Sequence, residues 1–424
     1  MKILLVKLSS LGDVVHTLPV VQDILAALPD AQIDWVVEPS FAPVLSLCPG
    51  VNRVVACALR RWRKTPLSST TRQEWRAFKA QLHLTAYDAV IDLQGLTKSA
   101  LVAWLARLAP GGKRYALANQ TDGSGYEAPT RWVADVAIRM VPHIDAVQRA
   151  RCVAAQALGY SLASPPDYGL KTPLRQQIHA LHAIENIANR MSSTEIPANI
   201  PVQSVAFVHG TSRADKAWPL AHWVALGQLL NAAGYSVVLA HGNASELATS
   251  QAIASALNAA SLTSREPPHN SGEAMAVGSG CATRRLFAVN STAIGNKNNA
   301  ADRPLISTAA DHPPQGVMQR LPSLAALVLP TLPLDALAHM LGACIGVIGV
   351  DSGVSHLAVA LDLPHVQIYN FDTAWRTGPS QSGPAGTRQV SVFAHPAPGV
   401  QAVWQAWLGC IAAGWPISPA GAGP

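Results

Sequence analysis

At 424 residues the chain is long enough for two domains with substantial cores. A net charge of +6 without long basic runs favours an anionic substrate or an acidic membrane surface and argues against a nucleic-acid partner. The six cysteines are scattered singly with no CxxC pair, which indicates neither a disulfide framework nor a zinc site. The N-terminal apolar run is too short for a signal peptide, and no apolar stretch approaches the roughly 20 residues of a membrane span. We therefore expect a soluble, cytosolic protein.

The first half of the chain alternates short apolar runs with helical patterns. Strands are predicted at residues 3–8, 33–37, 51–56 and 89–93. Helices are predicted from the glycine-containing loop 9–13 to about residue 28, disturbed by Pro19, and at residues 75–84, 99–108, 131–140 and 145–158. Strands that alternate with helices indicate right-handed βαβ units around a parallel sheet.

The second half repeats this alternation. Strands are predicted at residues 205–208, 236–240, 326–329, 345–350 and 366–369, and helices at 220–233, 245–257, 334–341 and 354–361. A segment rich in proline and serine, carrying at least one helix near residues 175–190, precedes it. The apolar helix near residues 403–408 has no Lys or Arg, so we expect it to pack on the protein rather than on a membrane.

The two alternating halves predict an α/β protein with two Rossmann-like domains that face a central cleft. We assign residues 1–160 to the first domain, 161–203 to the interdomain connection, 204–395 to the second domain and 396–424 to a C-terminal helix and tail. Residues 258–322 are rich in Ala, Ser, Thr, Asn, Gly and Pro without a sustained period. This composition indicates an insertion in the second domain, either a surface segment or a disordered loop.

The turn from Asp351 to Gly353 joins a predicted buried strand to a predicted helix. Such a turn presents free backbone N–H groups and the positive end of the helix dipole, and small residues let a ligand approach closely. This predicts a phosphate site, in which His356 could contact a phosphate or only cap and pack. An ordinary strand–turn–helix junction is the alternative, but a second turn of the same kind at residues 9–13 favours the functional interpretation.

Two further segments carry groups suited to transfer chemistry. Asp13, at the end of the first strand–loop unit, could cap the helix or act as a general base on an incoming hydroxyl. Thr211, Ser212 and Lys216 lie between the first strand and the first helix of the second half. Their hydroxyls and positive charge suit a diphosphate, with Lys216 neutralising charge on a departing phosphate, although a solvated loop would look the same.

The densest positive run comprises Arg60, Arg61, Arg63 and Lys64, and Lys98 follows the strand end at Gln94. Guanidinium forks match carboxylates and phosphates, whereas the alternative is a solvated basic face that loosely favours anionic lipid. The histidines show no metal-ligand spacing and no acidic cluster is present, so we expect neither a metal nor a cofactor. The chain has no G-x-G-x-x-G fingerprint and no P-loop.

Taken together, these segments resemble glycosyltransferase family nine, the lipopolysaccharide heptosyltransferases, and within it the branch that adds the first heptose. The resemblance covers nearly the whole chain apart from residues 258–322. It is carried by KLSSLGDVVHTLP (7–19), DWVVE (34–38), RRWRK (60–64), YDAVIDLQGLTKSA (87–100), DKAWP (215–219) and GVDSGVSHLAVALDLP (349–364). It implies the GT-B fold and metal-independent, inverting transfer of L-glycero-D-manno-heptose from ADP-heptose to the first Kdo of Kdo2-lipid A, at the cytoplasmic face of the inner membrane.

The resemblance also implies roles for individual residues. Asp13 matches the proposed base, and Lys216 matches a residue that binds the diphosphate. The other implied donor-binding residues are Thr211, Ser212, Glu246, Asp335, Asp351, Ser352, Gly353 and His356; those implied for the acceptor are Arg60, Arg61, Arg63, Lys64, Gln94 and Lys98. Glu246 stands where a carboxylate holds the adenosine ribose, and Asp335 where the family usually has glutamate. Relatives often carry an Arg-Glu-Pro triplet for the acceptor, but this chain has Tyr126 before Glu127, so that arginine has no counterpart.

Three other functions compete with this one. A sibling transferase would add the second heptose, but the RRWRK segment argues against it. A non-catalytic sugar-nucleotide binding protein would not need both Asp13 and Lys216. A nucleotide-sugar epimerase on a similar two-domain fold would turn over the donor without any acceptor.

Overall fold

The computed structural model describes residues 1–170, 203–263, 325–379 and 388–413. Six parallel strands form the first sheet, in the order β3-β2-β1-β4-β5-β6. These strands are β1 (Lys2–Val6), β2 (Gln32–Val37), β3 (Val51–Ala56), β4 (Tyr87–Asp92), β5 (Leu108–Leu117) and β6 (Val136–Ile138). In β1 every residue after Lys2 is buried, as expected for an apolar strand with helices on both faces.

Eight helices accompany this sheet in the described chain: α1 (Leu11–Thr17), α2 (Pro19–Ala27), α3 (Ala42–Leu45), α4 (Leu59–Trp62), α5 (Ser69–His83), α6 (Thr97–Leu105), α7 (Pro129–Val133) and α8 (Ala146–Leu158). A 3₁₀ turn spans Pro39–Phe41. Pro19 ends the first helical stretch and begins the second, because proline is tolerated in the first turn of a helix but not in its interior. Ser68 caps helix α5, and its hydroxyl oxygen accepts a hydrogen bond from the Thr71 N–H.

The second sheet repeats the topology of the first, with six parallel strands in the order β12-β11-β10-β7-β8-β9. Its strands are β7 (Ser204–Val208), β8 (Ser236–Leu239), β9 (Ala326–Val328), β10 (Gly346–Val350), β11 (His365–Tyr369) and β12 (Gln389–Phe393). Its helices are α9 (Leu220–Ala232), α10 (Ala244–Thr263), α11 (Leu334–Ala343), α12 (Gly353–Ala360), α13 (Ala374–Thr377) and α14 (Val400–Ala412), with a 3₁₀ turn at Ala214–Lys216. Val403 and Trp407 bury one face of α14 against the domain.

Each sheet has one topological switch point, where the strand order reverses. In the first sheet it lies between β1 and β4, and in the second between β7 and β10. Ligands of open parallel sheets bind outside the carboxyl ends of the strands at such points. The loops after these four strands are therefore where the fold predicts a site, and the two domains turn them toward each other.

The structure differs from the sequence predictions in five places. The predicted helix 131–140 is wrong, because α7 ends at Val133 and edge strand β6 follows. The predicted helix 99–108 ends at Leu105, and Leu108 begins β5, which the sequence did not suggest; β12 was missed as well. Helix α10 continues to Thr263, six residues into the predicted insertion.

The side chain of Asn258 ties this longer helix to the second sheet. Its Nδ2 donates to the Ala326 carbonyl at 3.2 Å, and its Oδ1 accepts from the Ala326 N–H at 3.0 Å, which ties α10 to β9. The predicted helix near 175–190 and residues 264–322 of the predicted insertion lie outside the described residues. We keep the domain limits at residues 160 and 204 as a proposal. Within the described chain, no helix is both long and apolar enough to cross a bilayer.

Candidate active site

The two switch points open onto one cavity of about 330 Å³ between the domains. Eight of the predicted site residues line it: Asp13, Gln94, Ser212, Lys216, Asp351, Ser352, Gly353 and His356. Residues that the sequence did not single out complete the wall, including Lys7, His16, Arg149, Arg376, Thr377 and the segment from Gly123 to Gly125. The cavity therefore combines groups from both domains.

Asp13 lies in the first turn of α1, on the first-domain side of the cavity. Its Oδ2 accepts hydrogen bonds from the Ser10 N–H at 2.8 Å and the Ser10 hydroxyl at 3.0 Å. Its Oδ1 lies 3.7 Å from Lys7 Nζ, and the side chain is 37% exposed. The carboxylate thus caps the helix and still reaches the cavity, so the two roles inferred from sequence do not exclude each other.

Burial alone would raise the pKa of Asp13, but the charge of Lys7 and the hydrogen bonds from Ser10 outweigh it and lower this pKa to about 2. Lys7 itself is buried, and its Nζ donates to the Leu93 carbonyl at 2.9 Å. Burial lowers the pKa of Lys7, against the opposing charge of Asp13. The pair therefore supplies an ionised carboxylate across the physiological pH range.

Gln94 and Lys98 hold the loop between β1 and α1. Gln94 Oε1 accepts hydrogen bonds from the backbone N–H groups of Leu8 and Ser9, both at 3.0 Å. Lys98 Nζ donates to the Ser9 hydroxyl at 2.7 Å, although Lys98 does not line the cavity. Both side chains thus connect the β4 end of the switch point to the β1 end, which fixes the loop that carries Asp13.

On the second-domain side, Asp351 joins a lysine and a histidine. Lys216 Nζ donates to Asp351 Oδ2 at 2.5 Å, and His356 Nε2 lies 3.3 Å from Asp351 Oδ1. Burial alone would raise the pKa of Asp351, but His356 and Lys216 together hold it below its ordinary value. Asn370 at the end of β11 donates to the carbonyls of Asp215 and Ala217, which positions the Lys216 loop.

The N-termini of α1 and α12 meet at two glycines. A Cβ on Gly353 would lie 2.7 Å from Leu11 Cβ and 3.0 Å from the Gly12 nitrogen. A Cβ on Gly12 would lie 2.7 Å from a ring carbon of His356. The rings of His16 and His356 pack against each other across the same contact, with centroids 4.2 Å apart and planes tilted by 53°. Burial and the neighbouring His356 lower the pKa of His16 well below its ordinary value, so His16 is neutral at pH 7.

The cavity holds more cationic than anionic side chains. Lys7, Lys216, Arg149 and Arg376 face it, against the two carboxylates already described. The buried Arg149 donates to the Thr121 hydroxyl at 2.8 Å and forms no salt bridge within the described chain. Burial lowers its pKa. Because a buried guanidinium without a carboxylate is costly, this wall is suited to an anionic ligand.

Eight predicted residues lie outside the cavity wall: Thr211, Glu246, Asp335, Arg60, Arg61, Arg63, Lys64 and Lys98. Glu246 Oε2 accepts from the Gly242 N–H at 2.7 Å, and its carboxyl covers Gly210 at the end of β7. Asp335 is in the first turn of α11, and its buried Oδ1 has no hydrogen-bond partner among the described residues. Their predicted contacts with the donor stay predictions.

The predicted acceptor arginines lie in and after α4, on the first domain. Arg61 pairs with Glu74 at 2.7 Å, and the guanidinium of Arg60 lies 6.0 Å from the Phe41 ring centroid. Arg63 and Lys64 are exposed. The run is available to an anionic molecule approaching from solvent, but it does not touch the cavity itself.

Four charged or imidazole groups of the cavity wall were not predicted from the sequence. Lys7 had a usable signal, since a charge directly after a fully apolar strand is buried or functional. Arg149 also had a usable signal in the sequence, because it interrupts the apolar face of α8. Arg376 reaches the Gly123 carbonyl across the domain boundary, and His16 meets His356 across the same boundary; no local pattern encodes either contact.

Two Rossmann-like domains that bring their switch points together around one cation-rich cavity form the GT-B architecture found in glycosyltransferases. Comparison with known proteins identifies the family. The family model described as glycosyltransferase family 9 (heptosyltransferase) matches residues 75–315 and 305–398. The chain belongs to glycosyltransferase family 9, which confirms the resemblance inferred from its segments.

Two relatives and one solved structure illustrate the similarity. Lipopolysaccharide heptosyltransferase 1 of Pseudomonas aeruginosa is 32% identical over 92% of this chain and 83% of its own length. The protein of the same name from Escherichia coli K12 is 30% identical over 92% of both chains. The structure of E. coli heptosyltransferase WaaC with ADP superposes with a TM-score of 0.66 at 27% identity, covering 96% of this chain and 98% of that one.

Proposed function

We propose that the protein transfers L-glycero-D-manno-heptose from ADP-heptose to the first Kdo of Kdo2-lipid A, with inversion and without a metal ion. The observation that carries the proposal is the pairing of an ionised Asp13 with the Lys216–Asp351–His356 cluster on opposite sides of one cavity. The relatives named lipopolysaccharide heptosyltransferase 1 support it. So do the WaaC structures with ADP and with ADP-2-deoxy-2-fluoro heptose.

The donor occupies the second-domain side of the cavity. Its diphosphate accepts hydrogen bonds from the free N–H groups at the start of α12 and lies against Ser212 and Lys216. Asp351, Ser352 and His356 surround the heptose. Glu246 holds the adenosine ribose from the carboxyl edge of β8, with Thr211 beside the phosphates and Asp335 near the sugar.

The acceptor enters from the first-domain side. Its carboxylates and phosphates meet Arg60, Arg61, Arg63 and Lys64 at the rim and Gln94 and Lys98 closer to the cavity. Arg149 supplies a guanidinium that the missing Arg-Glu-Pro arginine would otherwise provide. Its burial, and the absence of a salt bridge to it in the described chain, support this assignment.

The chemistry is a single displacement. Asp13 accepts the proton of the acceptor hydroxyl while that oxygen attacks the anomeric carbon of the heptose. The bond from the anomeric carbon to the β-phosphate oxygen breaks on the opposite face, which inverts the configuration. Lys216 and the N-terminus of α12 stabilise the negative charge that grows on ADP, so no metal is required. The lipid acceptor implies peripheral association with the cytoplasmic face of the inner membrane.

Incubating the purified protein with ADP-heptose, with and without Kdo2-lipid A and with and without EDTA, tests this function. We expect release of ADP and addition of one heptose only when acceptor is present, unchanged by EDTA. Donor turnover without acceptor would indicate an epimerase, and a requirement for an already heptosylated acceptor would indicate the sibling transferase. Loss of activity on chelation, restored by magnesium or manganese, would contradict the role given to Lys216.

Variants separate the two substrates. Lys216→Ala is expected to weaken ADP-heptose binding and slow transfer, because the leaving diphosphate loses a fixed counter-charge.

Neutralising Arg60, Arg61 and Arg63 in pairs is expected to raise the KM for Kdo2-lipid A and leave donor affinity unchanged. A fall in donor affinity in the arginine variants would mean that the basic run serves the other substrate.

A further inference from the structure

Helices α4 to α7 form one layer on a single face of the first sheet. Residues that point to this face, among them Leu4 and Val90, pack against Trp62 of α4, Phe78 of α5 and Val102 of α6. Val133 of α7 joins the edge of the same cluster. We call residues 59–83, 97–105 and 129–133 the basic helical layer.

The outer side of this layer carries large apolar side chains. Leu67, in the loop between α4 and α5, is 84% exposed. Trp104 of α6 is 61% exposed and Trp132 of the neighbouring α7 is 71% exposed. Tryptophan is enriched where protein meets the headgroup region of a bilayer, because its ring is apolar and its indole N–H is polar.

The positive charge of the chain is concentrated on the same layer. It contains nine of the 31 Lys and Arg residues but one of the 25 Asp and Glu residues, which leaves the remainder of the chain with two net negative charges. The single acid, Glu74, is bound to Arg61 and to the Trp62 indole. Arg72 and Arg76 are both exposed on α5 and form no salt bridge among the described residues.

We propose that the basic helical layer docks on an anionic bilayer surface. Leu67, Trp104 and Trp132 enter the headgroup region, while the exposed lysines and arginines lie against lipid phosphates. The inference deepens the proposed function, on which it rests for the lipid nature of the acceptor. Because the run from Arg60 to Lys64 lies in this layer, docking brings the acceptor-binding residues to the depth at which a lipid-linked sugar is presented.

Cosedimentation of the full chain with phosphatidylcholine vesicles, with and without phosphatidylglycerol and in the absence of Kdo2-lipid A, tests the docking surface directly. We expect binding to the anionic vesicles that weakens as salt rises, and little binding to the zwitterionic ones. Trp104→Ser with Trp132→Ser should lower the partition coefficient about tenfold or more. Arg72→Glu with Arg76→Glu should lower it by a similar factor.

Leu220→Ser and Phe393→Ser are the matched controls, because both replace exposed apolar residues of the second domain. Their vesicle binding should equal that of the wild type. Unchanged binding in the double tryptophan variant, or equal binding to both kinds of vesicle, would overturn the proposal. So would absence of binding by a folded wild type.

Transfer assays separate this inference from the function beneath it. The tryptophan variants should lose transfer to Kdo2-lipid A in anionic vesicles and keep transfer to a water-soluble Kdo disaccharide. A tryptophan variant with the wild-type unfolding temperature that loses transfer to the soluble acceptor would contradict a role in docking alone. Failure of the wild type to transfer heptose to either acceptor, with vesicle binding intact, would instead count against the proposed function.

Discussion

Asp13 and Lys7 form the smallest unit that the proposed chemistry depends on. Their charges lie 3.7 Å apart at the start of α1, and the Ser10 hydrogen bonds hold the carboxylate in place. With its pKa lowered to about 2, Asp13 is ionised and able to accept a proton throughout the pH range in which the protein works. A protonated Asp13 therefore does not limit the wild-type rate on the acid side of neutrality.

Replacing Lys7 with methionine tests this pair. Burial raises the pKa of Asp13, and the positive charge of Lys7 lowers it. Lys7→Met removes that charge, so the pKa of Asp13 rises. The ionised fraction at a given acidic pH then falls, and the acid limb of kcat/KM moves to higher pH. Lys2→Met, at the exposed first position of β1, should leave the profile unchanged. A wild-type profile in Lys7→Met would mean that Lys7 does not control the ionisation of Asp13.

At the scale of elements, the contact between α1 and α12 sets the distance between the proposed base Asp13 and the proposed donor-binding cluster. Gly12 and Gly353 let the two helix N-termini approach with backbone against backbone. A side chain at Gly353 would have to push Leu11 and the Gly12 backbone away, and one at Gly12 would have to displace the ring of His356. Glycine is therefore needed at these two positions because there is no room for a Cβ, and not because the backbone has an unusual φ angle.

Gly353→Ala is expected to lower kcat about 10- to 100-fold, because a displacement of a few tenths of an ångström at the reacting groups is costly to transfer. The free energy of unfolding should stay near the wild-type value, since each domain keeps its own core. Gly409→Ala is the matched control, because a Cβ there meets nothing within 4 Å. Equal rates for Gly353→Ala and wild type would show that the helix contact does not limit transfer.

The elements that carry the site were the easiest to predict from sequence. Strands β1 and β10 are continuous apolar runs followed by Gly- and Ser-containing turns, so pattern alone indicated both strand–turn–helix junctions. Strand β5 was missed because Gly111 and Gly112 interrupt it and its following residues are polar. Strand β6 was taken for helix because three residues cannot establish a period of two.

The site itself was predictable only where one loop carries its groups. Asp13, Lys216 and Asp351 each follow a strand end in sequence, so the sheet topology implied that they face a common cleft. Arg149 reaches the cavity from the first turn of α8, and Arg376 reaches it from across the domain boundary. Their positions depend on how α8 packs and on how the two domains meet, which no local pattern specifies.

At the scale of the whole molecule, the predicted insertion can be tested by removal. Asn258 ties the end region of α10 to β9 through two hydrogen bonds, so the second sheet is completed by residues on either side of 264–322. Replacing 264–322 with a short Gly/Ser linker is expected to leave a soluble protein with near-normal heptosyl transfer, since loop length costs little closure entropy. A variant that unfolds normally but no longer transfers to micellar Kdo2-lipid A would show that the segment serves the acceptor.

In the proposed mechanism, one cavity joins an acceptor base in the first domain to a donor cluster in the second. Asp13→Asn tests it most directly, because the amide keeps an oxygen for the Ser10 N–H but cannot take a proton. We predict that ADP-heptose affinity, measured by calorimetry, stays at the wild-type value, while transfer to Kdo2-lipid A under saturating donor falls about 10²- to 10⁴-fold. Near-normal transfer by Asp13→Asn would remove Asp13 from the mechanism and contradict the account.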